Sequence, residues 1–145
     1  MIAYFETSAI VPLLIPEATS PLCEEIWDNA DAVVTSMITY AEAAAALARA
    51  RRMNRIDLAE HEAIRQKLDQ VFEQVRTVQV DDATIRTAAD LSTDYQLRGY
   101  DAVQCATAER ISSPQMVAIT GDRELIDAWR DLGVYTIDIA EMSQR

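Results

Sequence analysis

The stretch Met116–Ile137, MVAITGDRELIDAWRDLGVYTI, holds the pattern from which the fold can be read. Met116 to Ile119 is a short apolar run suited to a buried strand, and Asp122 then stands where a helix N-cap belongs. Arg123 to Leu132 follows a helical period, Gly133 stops it, and Val134 to Ile137 is a second apolar run. Strand, helix and strand in close succession are the mark of an α/β fold with a mainly parallel sheet.

The same alternation extends toward the N-terminus. Further strands are expected at Ile2 to Phe5, Ala32 to Thr35 and Thr77 to Val80. Helices are expected at Ile38 to Met53, at Leu58 to Val75 after the polar break Asn54 to Asp57, at Ala83 to Leu97 before Gly99, and at Asp101 to Ile111 before Pro114. No Gly/Ser-rich or Pro-rich linker interrupts the 145 residues, which is the size of one domain with one sizeable core.

Composition narrows the function. The charge sum, 13 − 24 = −11, argues against loose, non-specific binding to nucleic acid or anionic membranes. It leaves room for a local basic site, since Arg49, Arg51, Arg52 and Arg55 crowd one stretch while Lys67 is the single lysine. Three glycines are too few for a dinucleotide fingerprint or a P-loop. His61, the one histidine, falls on a charged helix, so Ser/His and Cys/His nucleophile pairs are not available. Cys23 and Cys105 lack metal-site spacing and are read as free thiols of a reducing compartment. No run reaches the ~20 apolar residues of a membrane span, and the apolar start is broken by Glu6, Pro12 and Pro16 without a basic n-region. The expectation is a cytoplasmic protein.

Ligands of open α/β sheets bind beyond the carboxyl ends of the strands, and several acids stand there. Glu6 ends the first strand, Asp82 follows the third, and Asp122 follows the fourth. Asp82 reads as a helix cap, a duty it shares with Asp81, and capping also accounts for Asp122. Glu42, among small residues in Tyr40-Ala41-Glu42-Ala43, could answer the helix dipole or form a capping box with Thr39. Asp101 and Gln104 have capping-box spacing as well. Taken as a set, Glu6, Glu42, Asp101 and Asp122 each lie near the start of a segment that could face one cleft. Four converging carboxylates call for a compensating cation, and hard oxygen ligands select Mg²⁺ or Mn²⁺.

Four motifs, Ile2-Ala3-Tyr4-Phe5-Glu6-Thr7-Ser8-Ala9, Tyr40-Ala41-Glu42, Tyr100-Asp101-Ala102-Val103-Gln104-Cys105-Ala106-Thr107-Ala108 and Thr120-Gly121-Asp122-Arg123, together resemble PIN-domain nucleases. The resemblance is closest to VapC-type toxins of toxin–antitoxin pairs and covers essentially the whole chain. It implies a single PIN-like domain over residues 1–145, a three-layer α/β/α sandwich with a mainly parallel central sheet. It further implies an endoribonuclease that is blocked by a cognate antitoxin protein and forms a homodimer. The family's acidic positions fall on Glu6, Glu42, Asp101 and Asp122, which would hold Mg²⁺ or Mn²⁺, with Ser8 and Thr120 as supporting hydroxyls.

Such a site hydrolyses RNA by lowering the pKa of a metal-bound water, and needs no protein nucleophile. Glu42 or Asp122 could instead orient that water as general base. Arg98 and Arg123 are candidates for holding substrate phosphate, and the Arg49 to Arg55 cluster could extend the track or pair with surface acids. The family ordinarily has Asp where this chain has Glu6. The rival reading is therefore a PIN scaffold weakened or inactivated at Glu6 that serves mainly to bind an antitoxin.

Overall fold

The computed structural model describes residues 1–145. Its five strands are β1 (Ile2–Phe5), β2 (Ala32–Ser36), β3 (Arg76–Val78), β4 (Met116–Thr120) and β5 (Thr136–Asp138). Around them run α1 (Thr7–Leu14), α2 (Ser20–Asn29), α3 (Ile38–Arg52), α4 (Leu58–Gln74), α5 (Asp82–Tyr95), α6 (Gly99–Arg110), α7 (Arg123–Asp131) and α8 (Ile139–Met142). The strands form one parallel sheet in the order β3-β2-β1-β4-β5, with Ala3 opposite Val33 on one side and Val117 on the other.

Side-chain alternation along the sheet divides the core into two halves. Ala3, Phe5, Val33 and Ile119 pack with Ala9, Ile10, Leu47, Leu68 and Ile139, from the helices of one face. Tyr4, Val34, Met116 and Ala118 pack with Leu91, Ala102, Ala106, Leu125 and Trp129, from α5, α6 and α7 on the other. The expected three-layer sandwich is present. Trp129 anchors the second half: its ring meets Tyr4 edge-on at 6.1 Å, and its indole N–H donates to the Cys105 carbonyl at 3.2 Å.

Two strands start or end away from their expected places. Val134 stays in the turn because Gly133 takes φ +79° and the Val134 N–H donates to the Trp129 carbonyl at 2.8 Å, so β5 starts at Thr136. On the opposite edge β3 ends at Val78, whose carbonyl accepts from Met37 N–H where α3 begins.

Cys23 and Cys105 are both free and buried, on opposite faces of the sheet. Burial pushes each thiol up to about 12, which leaves almost no thiolate at neutral pH. Ellman's reagent is expected to label neither cysteine in the native protein and both in guanidinium. Labelling of native protein would show that one of the two core halves opens.

The position of β1 matters most for the site. The chain runs outward from β1 to β2 and β3, then returns to the other side of β1 with β4 and β5. The direction of winding therefore reverses between β1 and β4, and a crevice opens beyond the carboxyl ends of these two strands.

Candidate active site

Glu6 is the first residue past β1, and its extended backbone (φ −74°, ψ 164°) lets it cap α1. Its Oε2 accepts three hydrogen bonds: from the Ser8 N–H at 3.0 Å, the Ser8 hydroxyl at 2.6 Å and the Thr120 hydroxyl at 2.8 Å. Ser8 Oγ accepts in turn from the Gly121 N–H at 2.8 Å, and Thr120 Oγ1 from the Asp122 N–H at 3.0 Å. The two hydroxyls thus tie the ends of β1 and β4 together through one carboxylate oxygen. Glu6 is 5% exposed, and burial raises its carboxyl above the usual glutamate range against the lowering effect of these donors.

Asp122 caps α7 through Oδ1, which accepts from Glu124 N–H at 2.8 Å and Leu125 N–H at 3.3 Å. Capping and a role in the site are therefore compatible, since Oδ2 takes no hydrogen bond from the protein. Asp101 sits in the first turn of α6, where Arg98 occupies the N-cap position without capping through its side chain. Partial burial raises the Asp101 carboxyl, the charges of Asp122 and Glu42 raise it further, and Arg98 partly offsets them. Glu42 projects from α3, and its Oε1 accepts from the Thr7 hydroxyl at 2.9 Å and from Gln104 Nε2 at 2.8 Å. It lines a recess of about 280 Å³ with Ala41, Ala45 and Tyr100, the residue before Asp101.

Two capping boxes allowed by the sequence do not form. Met37, not a residue with a capping side chain, occupies the α3 N-cap position, while Thr39 is buried and bonded to Thr35 and Gln104. Gln104 likewise turns into the core, away from the start of α6. Spacing offered Thr39 and Gln104 only these caps and did not single out Thr7, because the partners they take are distant in sequence. Arg98 remains exposed beside Asp101, whereas Arg123 faces Asp127 and Asp138 at 3.5 and 3.9 Å. Asp81 is the α5 cap, and Asp82 pairs with Arg86.

Glu6 and Asp122 thus stand past the ends of β1 and β4, the charge of Glu42 acts on Glu6, and those of Asp122 and Glu42 act on Asp101. The donor set suits a hard divalent cation in kind: Glu6 Oε1, Glu42 Oε2, Asp122 Oδ2 and both Asp101 oxygens take no hydrogen bond from the protein, and none is enclosed. As they stand, no three of the acids converge into a ready-made metal cage. A cation shared among them would relieve the repulsion that raises Asp101.

Comparison with known proteins agrees with the fold. The family model described as PIN domain matches residues 3–129. Ribonuclease VapC45 of Mycobacterium tuberculosis is 33% identical over 124 residues, which cover 86% of this chain and 86% of that protein. Two solved structures share the fold: Mycobacterium tuberculosis VapC20, a sarcin-ricin loop cleaving toxin (17% identity, TM-score 0.66, 87% of this chain and 94% of that one), and a toxin–antitoxin complex from Klebsiella pneumoniae (18% identity, TM-score 0.60, 83% and 86%).

Proposed function

The chain belongs to the PIN domain family, and from that premise we propose that it is a Mg²⁺- or Mn²⁺-dependent endoribonuclease, the toxin of a toxin–antitoxin pair. The observation that carries this reading is the place of Glu6 and Asp122 just past the carboxyl ends of β1 and β4, where the winding of the sheet reverses, with Glu42 and Asp101 near enough for their charges to be felt there. Support comes from the relative named as a ribonuclease and from the solved neighbours described as a sarcin-ricin loop cleaving toxin and a toxin–antitoxin complex. The protein works as one domain over residues 1–145, in the cytoplasm, as a homodimer whose site a cognate antitoxin covers. No helix is long and apolar enough to cross a membrane.

Glu6, Glu42, Asp101 and Asp122 would hold the cation. When bound, it supplies a water of lowered pKa and countercharge for the phosphate. The protein's part is to keep these carboxylates in place. Ser8 and Thr120 fix Glu6 by one oxygen, the helix start fixes Asp122 by one oxygen, and Thr7 with Gln104 does the same for Glu42. Arg98, exposed beside Asp101, holds a substrate phosphate in an otherwise acidic surround.

One observation favours a second reading, an antitoxin-binding scaffold with weakened catalysis: the Glu6 carboxylate is buried and three donors converge on its Oε2. A panel of tRNA and rRNA fragments with Mg²⁺ or Mn²⁺ separates the two. Cleavage that EDTA stops and either metal restores is the expected result. A protein that pairs with an antitoxin but binds no divalent metal at millimolar concentration by calorimetry would be the scaffold.

A further inference from the structure

Gln104 stands three residues beyond Asp101 on α6 and is fully buried. An enclosed primary amide needs partners at both ends, and this one has them. The Tyr4 hydroxyl donates to Oε1 at 2.6 Å. Nε2 donates to Thr39 Oγ1 and Glu42 Oε1, each at 2.8 Å, with Thr7 Oγ1 farther off at 3.3 Å. Thr39 is held by Thr35 at 2.9 Å, and the Thr35 hydroxyl is anchored on the Phe5 carbonyl at 2.6 Å. The network thus starts on the backbone of the central strand and ends on one oxygen of Glu42.

The orientation of the amide is not free. Turned over, it would set its oxygen against the Glu42 carboxylate and lose the hydrogen that Tyr4 offers. Glu42, which can only accept, therefore sets the orientation, and Tyr4 donates to the oxygen left facing it. Glu42 Oε1, which also accepts from Thr7 at 2.9 Å, is fully engaged, and only Oε2 is left for the cleft.

We propose that Gln104 is a positioning residue of the site: it pins Glu42 by one oxygen so that the other is presented toward Asp101 and Asp122, with Tyr4 anchoring the far end of the amide. The proposal rests on these acids being the metal-binding nuclease site. Gln104 touches neither substrate nor metal, and its effect passes through Glu42.

The test compares wild type with Gln104→Leu, Tyr4→Phe and the double variant, measuring Mn²⁺ affinity by calorimetry, kcat and KM on an RNA that wild type cuts, and Tm. Gln104→Leu is expected to lower kcat and Mn²⁺ affinity by about 10–100-fold, the range for residues that orient metal ligands, with little change in KM. The double variant, which removes both ends of the Tyr4–Gln104 bond, is expected to regain Tm without regaining kcat. Tyr4→Phe keeps the ring edge-on to Trp129 and carries the same test at smaller size if Gln104→Leu does not fold. Wild-type kcat and Mn²⁺ affinity in Gln104→Leu would overturn the proposal, as would losses that return in step with Tm in the double variant. A wild type that neither binds Mn²⁺ nor cuts RNA would instead remove the nuclease reading itself, and this proposal with it.

Discussion

Asp101→Asn is expected to reduce metal-dependent RNA cleavage by on the order of 10³-fold, about 4 kcal/mol of barrier, while raising Tm. Both effects come from the same electrostatics. Partial burial raises the Asp101 carboxyl, and the charges of Asp122 and Glu42 add to the cost of keeping it ionised. The neutral amide removes a repulsive charge from the folded state and a ligand from the site. Single-turnover cleavage and a thermal melt on the same preparation check it. A loss of activity accompanied by a lower Tm would mean that Asp101 supports the fold instead.

The second large effect divides between two substitutions at Glu6. Glu6→Ala removes a helix cap and leaves the Ser8 N–H and the Ser8 and Thr120 hydroxyls without their shared acceptor. The cap and the stranded donors together come to about 3 kcal/mol, or a Tm lowered by roughly 6–12 °C. Glu6→Gln retains an acceptor oxygen and discards only the charge, so cleavage is lost while the fold is kept. Because the folded pKa of Glu6 is raised, its contribution to stability is full below the ordinary glutamate value and falls as pH rises through the folded value. The Tm of Glu6→Gln should therefore gain on wild type from about pH 4 upward. A constant difference across that window would show that burial does not disfavour the Glu6 charge.

Much of this architecture was legible because it follows local rules. Short apolar runs marked the five strands, and Pro114 and Gly133 marked where helices stop, whereas α5 ends earlier, on Gln96 at φ 56°, and Gly99 opens α6. The first two helices were not. Thr7–Leu14 has no polar stripe to reveal a helical period, since it is wedged between the sheet and α2 and α3, and Pro12 inside it reads as a breaker. The four acids proposed for the site were visible as a set because each follows a strand or lies near the start of a helix. Their supports were not, because Gln104 reaches Thr7, Thr39 and Glu42 across 97, 65 and 62 residues. Spacing alone offered Thr39 and Gln104 a nearby capping partner, and the buried network outcompeted it.

The hydroxyl bridge between β1 and β4 also sets a timetable for synthesis. Glu6 is among the first residues made, whereas its partner Thr120 lies 114 residues later, with Asp122 just beyond it. At 5–20 residues per second, about 6–23 s separate the two on the ribosome. Through that interval β1 has β2 beside it but neither β4 nor the Thr120 hydroxyl, so a nascent or prematurely ended chain carries an acidic strand end with no assembled site. The crevice between β1 and β4 is therefore completed only when translation of the chain has nearly finished.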